Sequence, residues 1–212
     1  MKMKKKRGTC LSACMLMAFV LWTIAVRFVD LREIGPRGSS VGFATLNGAF
    51  HRLTGVHMSL YVITDWMGLV PIGFALGFAV FGLTQWIKRK SLLKVDRSIL
   101  VLGGFYILVM AAYALFEFSV INYRPVLIDG YLQASYPSST TLLVLCVMPT
   151  SAMQLNRRIK NKAYRRCIAF AIHAFAVFMV VARLLSGVHW FTDIIGGVLL
   201  SAGFVMLYRI AT

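Results

Sequence analysis

The sequence predicts an all-α, polytopic membrane protein, a bundle of about six transmembrane helices, and three observations lead there. The apolar residues come in long unbroken runs, not at amphipathic spacing. Of the 212 residues, 59% are hydrophobic and only 14% charged, a membrane composition. The Lys and Arg residues gather between the runs instead of within them. A bilayer's hydrocarbon core is roughly 30 Å thick and takes about 20 apolar residues to cross, so one membrane domain spanning residues 1–212 is expected.

Taken in order, the first run covers residues 10–28 and follows Lys2, Lys4, Lys5, Lys6 and Arg7. That start resembles a signal peptide, but the apolar stretch is long for one and no small-x-small cleavage site follows. It is expected to stay as a first span with its basic end in the cytoplasm. Further runs cover residues 67–87, 99–120, 138–155, 167–185 and 191–210, each bounded by charge, Pro or Gly. The connectors carrying Lys88, Arg89, Lys90, Lys94 and Arg97, and then Arg157, Arg158, Lys160, Lys162, Arg165 and Arg166, should face the cytoplasm with both termini. The formal net charge of +16 is thereby a topology signal, and no nucleic-acid partner is expected.

The connectors 29–65, 121–137 and 186–189 then face outward. Within the first, residues 41–53 are amphipathic and read either as a short interfacial helix or as an ordinary loop over the bundle. Cys10, Cys14, Cys146 and Cys167 lack the short paired spacing of a zinc or redox motif and read as packing residues. His173, inside the fifth run, is expected to hydrogen-bond within the bundle.

The residues that carry chemistry lie in these outer connectors. His189 and Asp193 are four apart, so at the start of the last helix they share a face, and the carboxylate is placed to accept from one ring nitrogen. The other nitrogen is left as a lone pair, as a histidine nucleophile or base requires. Arg183 precedes a break at Ser186-Gly187 that folds it back toward the same place. The same residues also read as a capped helix end with a snorkelling arginine, and this motif alone leaves both readings open.

Two further motifs precede it. Asn122-Tyr123-Arg124-Pro125 closes the third run, because Pro125 drives Arg124 toward an extended conformation. Tyr136-Pro137-Ser138-Ser139-Thr140 opens the fourth, where free N–H groups and the helix dipole favour an anion. The hydroxyls of Ser138, Ser139 and Thr140 either add donors to phosphate oxygens or, for one of them, cap the helix.

The order Arg-Pro, Pro-Ser-x-x, Arg-x5-His-x3-Asp, each part at the outer end of a span, resembles the type 2 phosphatidic acid phosphatase superfamily. The likeness covers roughly residues 60–210. It implies a metal-independent phosphatase acting on a lipid phosphate or diphosphate through a phosphohistidine, with no cofactor. On this likeness His189 would be the nucleophile and Asp193 its orienting carboxylate. Arg124 and Arg183 would clamp the phosphoryl oxygens, with Ser138, Ser139 and Thr140 completing the cradle.

The chain departs from the family pattern at four positions. Glu117 stands where the family has Lys, Ser139 replaces Gly and Thr140 replaces the His of Pro-Ser-Gly-His; Ala182 stands where the family often has Ser. The family histidine protonates the departing alcohol, and losing a general acid costs about 10²–10⁴ in rate. A diphosphate needs that acid less, because its leaving phosphate has a pKa of roughly 6. Glu117 is expected to pair with Arg124 or Arg183, to be protonated, or to lie at the polar boundary.

The expected activity is hydrolysis of a lipid phosphate or diphosphate of the phosphatidic acid, phosphatidylglycerophosphate or undecaprenyl diphosphate class. The alternatives are a lipid phosphotransferase and a non-catalytic protein that binds or moves a lipid phosphate. No metal is expected, since His51, His57 and His189 are scattered without close carboxylate or cysteine partners. The expected setting is a bacterial cytoplasmic membrane with the site facing outward.

Overall fold

In the computed structural model, which describes residues 2–212 and side chains from Lys6 onward, the chain forms eight α-helices. They are α1 (Lys2–Phe28), α2 (Ala44–Thr54), α3 (Met58–Met67), α4 (Leu69–Arg89), α5 (Arg97–Phe118), α6 (Ser139–Arg158), α7 (Lys162–Leu185) and α8 (Phe191–Ala211). Among the described residues, five stretches are long and apolar enough to cross a membrane: Lys6–Phe28, Met58–Arg89, Arg97–Phe118, Lys162–Leu185 and Phe191–Ala211. α6 is the more polar companion of these five. It packs against α4, α5, α7 and α8 and buries Thr141, Thr150, Ser151 and Gln154. A helix enclosed by others can carry such groups because its neighbours, not lipid, satisfy them.

Local chemistry sets several boundaries. Asn161 caps α7 by accepting from the N–H groups of Ala163 (2.9 Å) and Tyr164 (3.1 Å). Ser138 caps α6 through the N–H of Thr141 at 3.5 Å. α1 runs along α8 where Gly203 admits Leu16, and Ser12 Oγ donates to the Gly203 carbonyl at 2.9 Å. Small-residue contact of this kind lets helices approach closely within a bilayer.

Several sequence expectations need correction. The first long connector is shorter than 29–65, because Met58–Met67 forms α3 and continues into α4 with a break only at Gly68. The stretch at 41–53 takes the helical option, as α2. Only Cys146 is buried; Cys10, Cys14 and Cys167 are exposed on helix surfaces and do not pack in the core. His173 is also exposed, on a face of α7 shared with Phe170 and Val177, and has no hydrogen-bond partner among the described residues. The pattern located these residues on the right helices but did not indicate which way they turn.

The bundle has two chemically distinct ends. At one, Asp96 joins Arg89 (3.1 Å) and Arg158 (3.9 Å), so both basic connectors meet. At the other, the α7–α8 turn docks on the connector between α2 and α3: the His57 N–H donates to the Ser186 carbonyl at 2.9 Å. Gly187 makes this docking feasible. Its φ is +70°, and a Cβ there would lie 2.0 Å from the Gly55 carbonyl oxygen. Gly187→Ala is expected to destabilise the protein by at least about 1–2 kcal/mol from left-handed backbone alone, read as earlier thermal unfolding in detergent. Gly73→Ala, where a Cβ meets nothing within 4 Å, should leave the melting point unchanged or higher.

Candidate active site

Four segments converge at the second end: α3, the loop between α5 and α6, the start of α6, and the α7–α8 turn. The loop is held by backbone pairing, Arg124 N–H to the Gln133 carbonyl (3.0 Å) and Ser135 N–H to the Asn122 carbonyl (2.9 Å). It is pinned to α8 by Trp190, whose indole N–H donates to the Tyr123 carbonyl at 2.7 Å. It is pinned again by the Ser138 N–H, which donates to the Asp193 carbonyl at 3.1 Å.

Arg183 is 2% exposed and fully engaged. Nε and Nη2 both donate to Thr140 Oγ1 (3.2 and 2.7 Å), and Nη1 donates to Thr64 Oγ1 (3.1 Å) and the Tyr61 carbonyl (3.3 Å). Nη2 also pairs with Asp65 Oδ1 at 3.0 Å. The Tyr61 ring lies beneath two guanidiniums, 4.8 Å from that of Arg183 and 5.8 Å from that of Arg124. Each contact is a modest cation–π attraction, and together they hold two like charges close to each other.

Arg124 is the opposite case. It is buried, yet its Nε and Nη1 have no partner. His189 is also buried, and its Nε2 has no partner either. Only four buried side-chain polar atoms lack a partner among the described residues, and three of them belong to this pair. An unpaired buried donor costs roughly 1–3 kcal/mol, more if charged, so such a cluster marks where a ligand supplies the missing partners. Burial first, and then the charges of Arg124 and Arg183, hold the His189 pKa well below the ordinary 6.5, against an opposing hydrogen bond from the ring to the Ser135 backbone. The ring is therefore neutral at neutral pH, and its free nitrogen carries a lone pair.

The expected direct bond between His189 and Asp193 is not made. Their closest atoms, Nδ1 and Oδ2, are 3.8 Å apart, beyond hydrogen-bond range. Ser135 stands between them: its Oγ lies 3.1 Å from His189 Nδ1 and donates to Asp193 Oδ2. Asp193 also accepts from the Trp190 N–H (2.9 Å) and Asn122 Nδ2 (3.4 Å).

Ser138 Oγ takes the capping role, accepting from Thr141 Oγ1 at 3.1 Å as well as from its N–H. Thr140 braces Arg183, and Ser139 lines a cleft with Ser135, Tyr136 and Glu117. Glu117 is exposed and pairs with neither arginine, because Asp65 already holds Arg183 and Arg124 has no carboxylate partner.

Sequence reasoning missed Tyr61, Thr64, Asp65 and Ser135. Asp65 left a signal, a carboxylate within a stretch that is otherwise apolar. Ser135 left none, since nothing about a serine in a polar loop shows that tertiary folding will set it between a histidine and an aspartate.

The fold and site define a polytopic helical membrane protein with a buried, cation-lined histidine at one end of its bundle. The PAP2 superfamily model matches residues 100–212, more than half of the chain and including Arg124, Ser138, Arg183, His189 and Asp193, so the chain belongs to that superfamily. The membership supports a phosphatase-type hydrolase. No curated relative matches. The fold is similar to a crystal structure described as the first transmembrane PAP2 type phosphatidylglycerolphosphate phosphatase from Bacillus subtilis. The TM-score is 0.52, the identity 19%, and the match covers 94% of each chain.

Thr140→Val removes the one acceptor serving both Nε and Nη2 of Arg183. It is expected to destabilise the protein by about 1–3 kcal/mol, seen as earlier thermal unfolding in detergent, whereas Thr140→Ser keeps the oxygen and stays close to the parent.

Proposed function

We propose that the protein is a membrane phosphatase that hydrolyses a lipid phosphate or diphosphate through a phosphohistidine at His189. The observation that carries this reading is the meeting of three unpartnered buried atoms, Arg124 Nε and Nη1 and His189 Nε2, beside the engaged guanidinium of Arg183. Phosphoryl transfer asks for positive charge around the equatorial oxygens and an in-line nucleophile, and little else.

In this account Arg124 takes phosphoryl oxygens with its free N–H groups, and Arg183 presents a second charge already fixed by Thr140, Thr64 and Asp65. The hydroxyl protons of Ser138 and Thr140 remain to donate, since both oxygens act as acceptors within the protein. His189 Nε2 attacks phosphorus, the leaving group departs with the bonding pair, and water then cleaves the phosphorus–nitrogen bond to release phosphate and regenerate the imidazole. No metal takes part.

Thr140, turned onto Arg183, supplies no acid to the leaving group. We therefore place diphosphates, of the undecaprenyl diphosphate class, ahead of phosphatidylglycerophosphate and phosphatidic acid. The basic connectors support a reading in which the two termini are cytoplasmic and the site lies on the outer side, and we take the membrane to be a bacterial cytoplasmic one.

A panel of these lipids, assayed for released phosphate with the purified protein, tests the reading. Turnover is expected to be fastest on the diphosphate and to vanish in His189→Ala. Lipid-phosphate binding that survives His189→Ala, with no turnover by the parent on any substrate, would instead mark a binding protein.

The pH profile gives a second test. The acid limb of kcat/KM should fall below pH 6.5, because the imidazole sheds its proton earlier than an ordinary histidine. Arg124→Gln removes a charge that disfavours the protonated ring, so the pKa rises and the acid limb moves to higher pH. The rate also drops by about 10- to 100-fold with the lost charged hydrogen bonds.

A further inference from the structure

We infer that Ser135 is a positioning residue, the link through which Asp193 sets the tautomer of His189, and the inference rests on His189 acting as proposed above. The geometry leaves no direct route. His189 Nδ1 and Asp193 Oδ2 are 3.8 Å apart, while Ser135 Oγ reaches both. The hydroxyl has one proton to give and lone pairs to accept with. Asp193 takes three donors, from Ser135, the Trp190 N–H and Asn122 Nδ2, the pattern of an accepting carboxylate.

The Ser135 proton is therefore committed to Asp193, and its lone pair faces His189. Nδ1 must then carry the ring proton, and Nε2 keeps the lone pair on the unpartnered side of the ring. Reversing the direction of the two bonds would put the proton on Nε2 and remove the nucleophile. Ser135 thus determines which nitrogen reacts.

The placement of Ser135 does not depend on its own side chain. Its N–H donates to the Asn122 carbonyl at 2.9 Å, and Asn122 in turn reaches Asp193. The residue is 2% exposed, so water does not readily replace the hydroxyl. When His189 is phosphorylated its ring gains positive charge, and the same chain of bonds connects that charge to the carboxylate.

Other charged or titratable groups come from the elements packed around the site. Arg124 comes from the loop, Arg183 from α7 with Asp65 of α3 behind it, and His51 of α2 meets the Gly187 carbonyl at 3.2 Å. Tyr136 precedes the α6 opening and Glu117 lines the neighbouring cleft. None of these reaches Nδ1, so they shift the ring's charge without selecting its tautomer.

The test uses the full chain in detergent with ¹⁵N-labelled histidine, the His189 signals being identified by their loss in His189→Ala. The parent is expected to show a protonated, hydrogen-bonded Nδ1 and an unprotonated Nε2. In Ser135→Ala the hydrogen-bonded Nδ1 proton is lost, kcat on the best lipid substrate falls on the order of 10- to 100-fold with KM little changed, and the acid limb of the pH profile shifts. Ser135→Thr, which keeps the hydroxyl, should restore the spectrum and most of the rate.

An Nε2-protonated ring in the parent, or a Ser135→Ala protein with the parent's spectrum and rate, would overturn the inference. Should Ser135→Ala fail to fold, the parent and Ser135→Thr spectra still decide it. Absence of turnover in the parent would sink the phosphatase reading, while the spectra would continue to judge Ser135.

Discussion

The carboxylate of Asp193 sits where the loop after α5, the start of α6 and the α7–α8 turn come together, and its bonds keep those segments in register. Oδ2 accepts from Trp190 and Ser135, Oδ1 accepts from Asn122, and its backbone carbonyl accepts from Ser138. A carboxylate buried at the end of an apolar bundle is tolerable only when its oxygens are satisfied. The surrounding chain is shaped by that demand. The loop carries Arg124 two residues after Asn122, and the turn carries His189 one residue before Trp190, so supplying Asp193 with donors also delivers the arginine and the histidine to one place.

The two arginines show how the fold separates a prepared charge from an available one. Arg183 has a full set of partners, held between α3 and α6 above the Tyr61 ring. Arg124 has bare N–H groups in a buried setting. An anion entering beside them relieves the repulsion of two adjacent cations and fills the empty bonds of one, which is electrostatic preorganisation built before the ligand arrives. The cost of holding this arrangement open is spread over the hydrogen bonds that anchor the loop and the turn.

Much of this was legible in the sequence, for identifiable reasons. Long apolar runs and charged connectors determine helices largely by themselves, and the expected runs fall on α1, α4, α5, α6, α7 and α8. His189, Asp193, Arg124 and Arg183 stand out because ionisable residues in or against long apolar runs are uncommon and their spacing is restrictive. Contacts made only by tertiary folding were not legible. Asp65 meets Arg183 across 118 residues, and Ser135 meets Asp193 across 58. α3 was hidden because its polar Thr64 and Asp65 look like the end of a loop, when they face Arg183. In the sequence Thr140 reads as a missing histidine and as a hydroxyl of the phosphate cradle; its bonds show that it also holds the Arg183 guanidinium.

The account turns on Nε2 of His189 being the atom that takes the phosphoryl group. Rapid quenching of the purified protein with a lipid diphosphate labelled at its terminal phosphorus measures this directly. The account predicts a protein-bound label that is stable in alkali and lost in acid, as a phosphorus–nitrogen bond requires, and that maps to the segment containing His189. Steady release of phosphate with no such label at any quench time, or with the label retained in His189→Ala, would contradict it.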